Sequence, residues 1–203
     1  MNYFRKLGLG VVAFGYIVNS PRVLAEDQLS NTTWKTPFVG DPQGIQQQTT
    51  RKFDGAGTLT ESTKLMINHP LFHGAQKYDM VLKYLVTGSS EAVAGGMNID
   101  YEFVKVLETA LDDQTATQNN SHHECGYTDW EVGVPKDVTG IACDENHPEE
   151  HMPAAGIKDY SIYKIENDKI YFGDDDIDNH RGETPETRVD TLDMTKVFTR
   201  QLP

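Results

Sequence analysis

Two segments decide the fold: Tyr78-Asp-Met-Val-Leu-Lys-Tyr-Leu-Val86 and, after a short polar stretch, Met97-Asn-Ile-Asp-Tyr-Glu-Phe103. In the first, Tyr78, Met80, Leu82, Tyr84 and Val86 fall on alternate positions, with Asp79 and Lys83 between them. In the second, Met97, Ile99, Tyr101 and Phe103 alternate with Asn98, Asp100 and Glu102. Side chains of an extended chain point to opposite faces with period two, so each segment reads as a strand with one buried and one wet side. Gly95-Gly96 between them is a natural reversal, and the pair reads as a long antiparallel hairpin.

The same grammar extends in both directions. Arg51-Lys-Phe53 and Thr58 to Ile67 flank Asp54-Gly-Ala-Gly57, a tight turn signal. Tyr160 to Ile165 and Lys169 to Phe172 flank Asn167-Asp168 in the same way. One segment is ambiguous, because Phe103, Val104, Leu107, Ala110 and Leu111 also match helical spacing and allow one short helix before Asp112-Asp113. The polar stretches 114–124 and 144–156 read as long loops. The expectation is an all-β, single-domain antiparallel meander that closes into a barrel or packs as a sandwich, since closure protects sheet edges.

Composition limits the partners. The 203 residues carry 31 Asp and Glu against 18 Lys and Arg, for a net charge of -13. A phosphate backbone would be repelled, so no nucleic-acid partner is expected. At the N-terminus Arg5 and Lys6 precede an apolar stretch, Leu7 to Val18, that is short for a bilayer span, and Val23-Leu24-Ala25 presents small residues at the positions a signal peptidase reads. Residues 1–25 are expected to be a cleaved export signal and residues 26–203 one secreted or periplasmic domain that does not span a membrane. Cys125 and Cys143, an even count in an oxidising compartment, read as a disulfide. A metal thiolate site is the competing reading, because His122, His123 and Glu124 adjoin Cys125.

The segment Cys125-Gly-Tyr-Thr-Asp-Trp130-Glu-Val-Gly133, followed by Asp137-Val-Thr139 and Cys143, resembles the C-G-x-x-x-W segment leading to D-V-T and a second Cys in the adenomatosis polyposis coli down-regulated domain family. Lys169 to Gly173 and Pro185 to Thr191 are similar to later segments of that family. The resemblance implies an extracellular lipocalin-like (calycin-like) β-barrel or half-barrel whose animal members antagonise Wnt signalling and accommodate a lipid chain. It also implies that Cys125 and Cys143 form the family disulfide and that Trp130 is its aromatic landmark. The chain departs from the animal pattern in having one lobe and no further cysteines, and the short signal, the acidity and the single lobe favour an exported bacterial relative.

Three groups of side chains are candidates for chemistry. His147-Pro-Glu-Glu-His151 matches H-x-x-E-H, but Pro148 and Pro153 leave no room for the helix a zinc peptidase needs. With His122 and His123 these histidines form a weak metal set beside the cysteines, and no bound metal or cofactor is expected. Asp174, Asp175, Asp176 and Asp178 open like a calcium loop, yet Asn179 stands at the turn Gly and Pro185 at the bidentate Glu. Finally Tyr78, Tyr84, Tyr101, Phe103, Trp130 and Tyr163 are the expected lining of a ligand cavity, against the alternative that the aromatic residues simply fill the core. The leading expectation is a non-enzymatic protein holding a hydrophobic or lipid-like ligand. The alternatives are a surface module that binds a protein or glycan through its loops and a metal-binding exported protein.

Overall fold

The computed structural model describes residues 28–40, 44–69, 72–143, 151–174 and 182–202. The expected export signal, His147 and the acidic run from Asp175 to Asp178 lie outside the described residues. Among the described residues ten strands follow one another: β1 (Thr32–Lys35), β2 (Val39–Gly40), β3 (Ile45–Phe53), β4 (Thr58–His69), β5 (Phe72–Ser89), β6 (Met97–Ala110), β7 (Lys136–Asp137), β8 (Lys158–Glu166), β9 (Lys169–Phe172) and β10 (Phe198–Gln201). All pairings are antiparallel, and β1 pairs with both β10 and β3. That double pairing closes eight strands into a barrel in the order β1-β10-β9-β8-β6-β5-β4-β3, with the two-residue β2 and β7 attached to β3 and β6. The expected all-β meander is therefore a closed, lipocalin-like barrel.

The turns form where their chemistry allows. Asn167 and Asp168 both adopt positive φ, 51° and 59°, the paired left-handed geometry whose twist matches a two-residue hairpin. At the β3–β4 turn, Asp54 Oδ1 accepts hydrogen bonds from the backbone N–H of Ala56 and Thr58, both at 2.8 Å, and the same bonds hold its carboxyl below the usual range.

The ambiguous segment from Phe103 to Leu111 is strand as far as Ala110. Leu82 pairs with Phe103 and Val81 with Lys105, so Val104 is an extra, half-exposed residue in a β-bulge. Below the bulge the inward positions are Met97, Ile99, Tyr101 and Phe103; beyond it they are Val106, Glu108 and Ala110. The helical spacing at Phe103, Val104, Leu107, Ala110 and Leu111 mixes inward and outward positions of one bulged strand, with Val104 exposed and Leu107 on the outer face. Thr139 repairs the interrupted ladder: its Oγ1 accepts from Val106 N–H at 2.9 Å, and Val138 N–H donates to Val106 O at 3.0 Å. Asp137 Oδ1 in turn accepts from the Thr139 hydroxyl at 2.6 Å.

The helix lies instead in the stretch expected to be loop. Helix α1 (Asp113–His122) is capped by Asp112, whose side chain accepts from Thr115 N–H at 2.8 Å, and it ends where His123 turns left-handed at φ 53°. Its residues are polar almost throughout, so no apolar stripe announces it. Tertiary hydrogen bonds hold it in place: Ala75 N–H donates to Thr115 Oγ1, and Asn120 exchanges two bonds with the backbone of Trp130.

Two apolar clusters result. The larger fills the barrel end nearest the β3–β4 and β5–β6 turns, with Leu29, Trp34, Phe53, Leu59, Tyr84, Ile99, Tyr101, Tyr163, Phe172 and Phe198 among its members. The smaller joins the inner face of β6 to α1 and the loop that follows, through Val106, Ala110, Ala116, Cys125, Trp130 and Val138. Cys125 and Cys143 form a disulfide, which closes this loop. Among the described residues no helix is long and apolar enough to cross a membrane.

Candidate functional site

The barrel interior is divided along its length. At the sealed end Phe53 meets Tyr84 edge-on at 5.0 Å between ring centroids, and Phe172 meets Phe198 at 5.2 Å. Trp34, wholly buried on β1, donates its indole N–H to Thr32 Oγ1 at 2.8 Å, and the Arg200 guanidinium lies 5.4 Å from its ring. Above this layer the lining becomes polar. Arg51 crosses the interior, bonded to Glu61 at 2.5 Å, with its guanidinium 4.1 Å from the centre of the Phe172 ring. The buried hydroxyls of Thr49 and Thr63 meet at 3.2 Å across β3 and β4. Next on the same wall, Thr63 is the register partner of Tyr78, and Tyr78 of Glu108.

At this polar end the barrel has an open rim. A cavity of about 250 Å³ lies between Thr36, Val39, Ile45 and Gln47 on one side and Asp193, Thr195 and Lys196 on the other. A second cavity, about 160 Å³, reaches inward to Arg51, Phe172 and Phe198 and shares Asp193 and Lys196 with the first. The turn at 193–196 therefore stands between the rim and the interior. It is ordered by Asp193 Oδ1, which accepts from Thr195 N–H, Thr195 Oγ1 and Lys196 N–H. Phe38, Val39 and Met194 are exposed beside the opening. A larger hollow of about 530 Å³ lies on the wall of β5, β6 and β8, among Lys83, Leu85, Asp100, Glu102, Lys158 and Tyr160.

The six aromatic residues proposed as lining are distributed over three places. Tyr84, Tyr101 and Tyr163 belong to the sealed-end core, and Phe103 packs against it. Trp130 lies in the smaller cluster, where its indole N–H donates to Glu124 O at 3.3 Å and Tyr127 meets its ring edge-on. Tyr78 faces the polar section, with Gln76 Nε2 donating to its hydroxyl at 2.9 Å. Of the residues that do line the cavities, Val39 and Lys196 lie on a two-residue strand and in a turn, which carry no periodic signal, and Ile45 opens β3 ahead of a polar run that does not alternate. Of the histidines, His122, His123 and His151 are exposed, and the backbone bridge from His151 to Ala142 places it next to Cys143 in the chain pairing.

One polar group stands out by burial. Glu108 is 1% exposed, and its carboxyl lies 3.5 Å from Cys125 Sγ. Burial, and then the neighbouring Glu124, push its pKa up to about 7, against the opposing pull of the Tyr78 hydroxyl and the Asn119 amide. The Tyr78 phenol is pushed above its usual value, first by burial and then by Glu108 and Glu124. Asn119, on α1, is 8% exposed, and its Nδ2 has no hydrogen-bond partner. Its dipole nevertheless acts on the Glu108 carboxyl. Sequence reasoning gave no signal for Glu108, because its inward orientation depends on the bulge at Val104. No family model matches the chain, and neither does any curated protein compared with it.

Proposed function

We propose that this chain is an exported, non-enzymatic binding protein that takes up a hydrophobic or lipid-like small molecule at the polar end of its barrel. The carrying observation is the asymmetry of the interior: one end is sealed by packed aromatic rings, and the other opens between an apolar rim and the 193–196 turn. The two cavities that meet at Asp193 and Lys196 suit a small ligand, for which sites commonly measure roughly 300–1,000 Å³. Gln47 in the first cavity and Arg51 in the second support a ligand with a polar group as well as an apolar body, the polar part directed inward. Val39, Ile45 and exposed Phe38 then contact the apolar part. The disulfide fits an oxidising compartment, and the resemblance of the Cys125–Cys143 segment to an extracellular lipid-accommodating family agrees with both points.

The test uses protein purified without denaturation. Native mass spectrometry and solvent extraction are expected to find a bound apolar molecule, displaceable by a fluorescent fatty acid. Val39→Asp at the exposed rim is expected to weaken that probe by roughly tenfold, the equivalent of losing about 1.4 kcal/mol of apolar contact. If fatty acids, phospholipids and sterols all fail to bind, the surface-module reading takes precedence. Exposed Val132 and Val134 on the disulfide-closed loop would then be its first contact candidates.

A further inference from the structure

The disulfide sits in a pocket built like a metal site. One ligand atom from each of Glu108, Glu124, Cys125 and Cys143 falls within 4.8 Å of all the others. A tetrahedral zinc ion with two sulfur and two oxygen ligands needs ligand–ligand separations of roughly 3.3–3.8 Å, as follows from its bond lengths. Cys125 Sγ and Glu108 already stand 3.5 Å apart. Helix α1 packs over the same pocket: Asn119, more than nine-tenths buried, directs its side-chain amide at the Glu108 carboxyl and so orients that ligand. Val106, Ala116, Trp130 and Val138 around it are buried, while Glu124 and Cys143 are half-buried.

We propose that reduction of the Cys125–Cys143 bond converts this pocket into a Cys₂Glu₂ site for a divalent cation of the zinc type. A dithiol reductant supplies the two electrons. Its two S–H groups become a disulfide, the Cys125–Cys143 bond breaks, and each freed sulfur takes one proton. Binding the cation then releases both thiol protons, because thiolates are the ligating forms. Thiolates favour zinc over calcium or magnesium, and the Tyr78 hydroxyl hydrogen-bonded to Glu108 fixes that ligand from behind. In the oxidised chain the sulfurs are bonded to each other and the four-ligand site does not exist. The same loop would thus be stapled covalently in an oxidising setting and by metal in a reducing one.

The experiment titrates the full-length, untagged chain with Co²⁺, anaerobically, before and after reduction by a phosphine, which becomes its oxide with oxygen from water. The reduced chain is expected to bind one Co²⁺ with a thiolate-to-cobalt charge-transfer band and tetrahedral visible bands, both lost when Zn²⁺ is added; the oxidised chain shows neither. Glu108→Gln combined with Glu124→Gln is expected to weaken binding by roughly tenfold or more, while His122→Ala with His123→Ala leaves it unchanged. Loss of the bands in the histidine variant, or full affinity in the glutamine variant, overturns the ligand set. Thermal unfolding guards against a reduced chain that merely loses structure: Zn²⁺ should raise the Tm of the reduced chain and not of the oxidised one. A reduced chain that stays unfolded with Zn²⁺ present also refutes the proposal.

Discussion

Glu108→Gln keeps the shape of the side chain and removes its ability to ionise, so its effect on stability should depend on pH in a way that can be worked out beforehand. The folded carboxyl titrates near 7, against an ordinary value of 4.5. Because the folded value is raised, the native state holds a proton that the unfolded state has lost between those two pH values, and stability falls as pH rises through that window. Below 4.5 the group contributes no penalty; above 7 the penalty is complete. The difference of about 2.5 pKa units corresponds to ~3 kcal/mol at 1.36 kcal/mol per unit, as a ceiling. Urea unfolding of both proteins, disulfide intact, at pH 4.5, 6, 7 and 8 isolates this contribution, because the lowered carboxyls of Asp54, Asp137 and Asp193 are common to both and cancel. The variant is expected to match wild type at pH 4.5 and to exceed it by ~1–3 kcal/mol at pH 8. A difference that stays constant across the range, within about 0.5 kcal/mol, refutes the reasoning.

Arg51→Met strands the buried Glu61 carboxylate and is expected to cost about 3–5 kcal/mol in urea unfolding, whereas Arg51→Met with Glu61→Leu should recover most of that loss. A double variant as unstable as the single one would show that the ring contacts of Arg51, not its charge pairing, hold the barrel. Thr139→Val removes the hydroxyl that closes the ladder at the bulge and is expected to cost about 1–2 kcal/mol, with faster hydrogen exchange at the Val106 amide as the local sign. Unchanged exchange there would mean that Val138 N–H alone maintains the seam.

The strands could be read from the sequence because their rules are local. Tyr78 to Val86 and Met97 to Phe103 alternate as a half-buried strand must, and Asn167-Asp168 tolerates the left-handed pair its hairpin requires. Helix α1 escaped because its stability comes from a cap and from tertiary hydrogen bonds rather than from an apolar face. Its one local sign was Asp112 three residues before Thr115. The segment 103–111 misled in the opposite direction, since apolar side chains on the outer face, Val104 and Leu107, fall between inward Phe103 and Ala110 and together counterfeit a helical period.

By itself, then, the sequence determined an all-β chain of serial hairpins with two cysteines placed to pair, because side-chain alternation, turn conformation and cysteine count are properties of neighbouring residues. Only the tertiary structure decided that β1 would close on both β10 and β3, that the tyrosines of β5, β6 and β8 would fill one end of the barrel, and that Glu108 would be drawn in against the disulfide. Closure, filling and burial depend on residues far apart in the chain meeting in one volume. A carboxyl with no local peculiarity has its pKa raised only when a bulge turns it inward and α1 covers it.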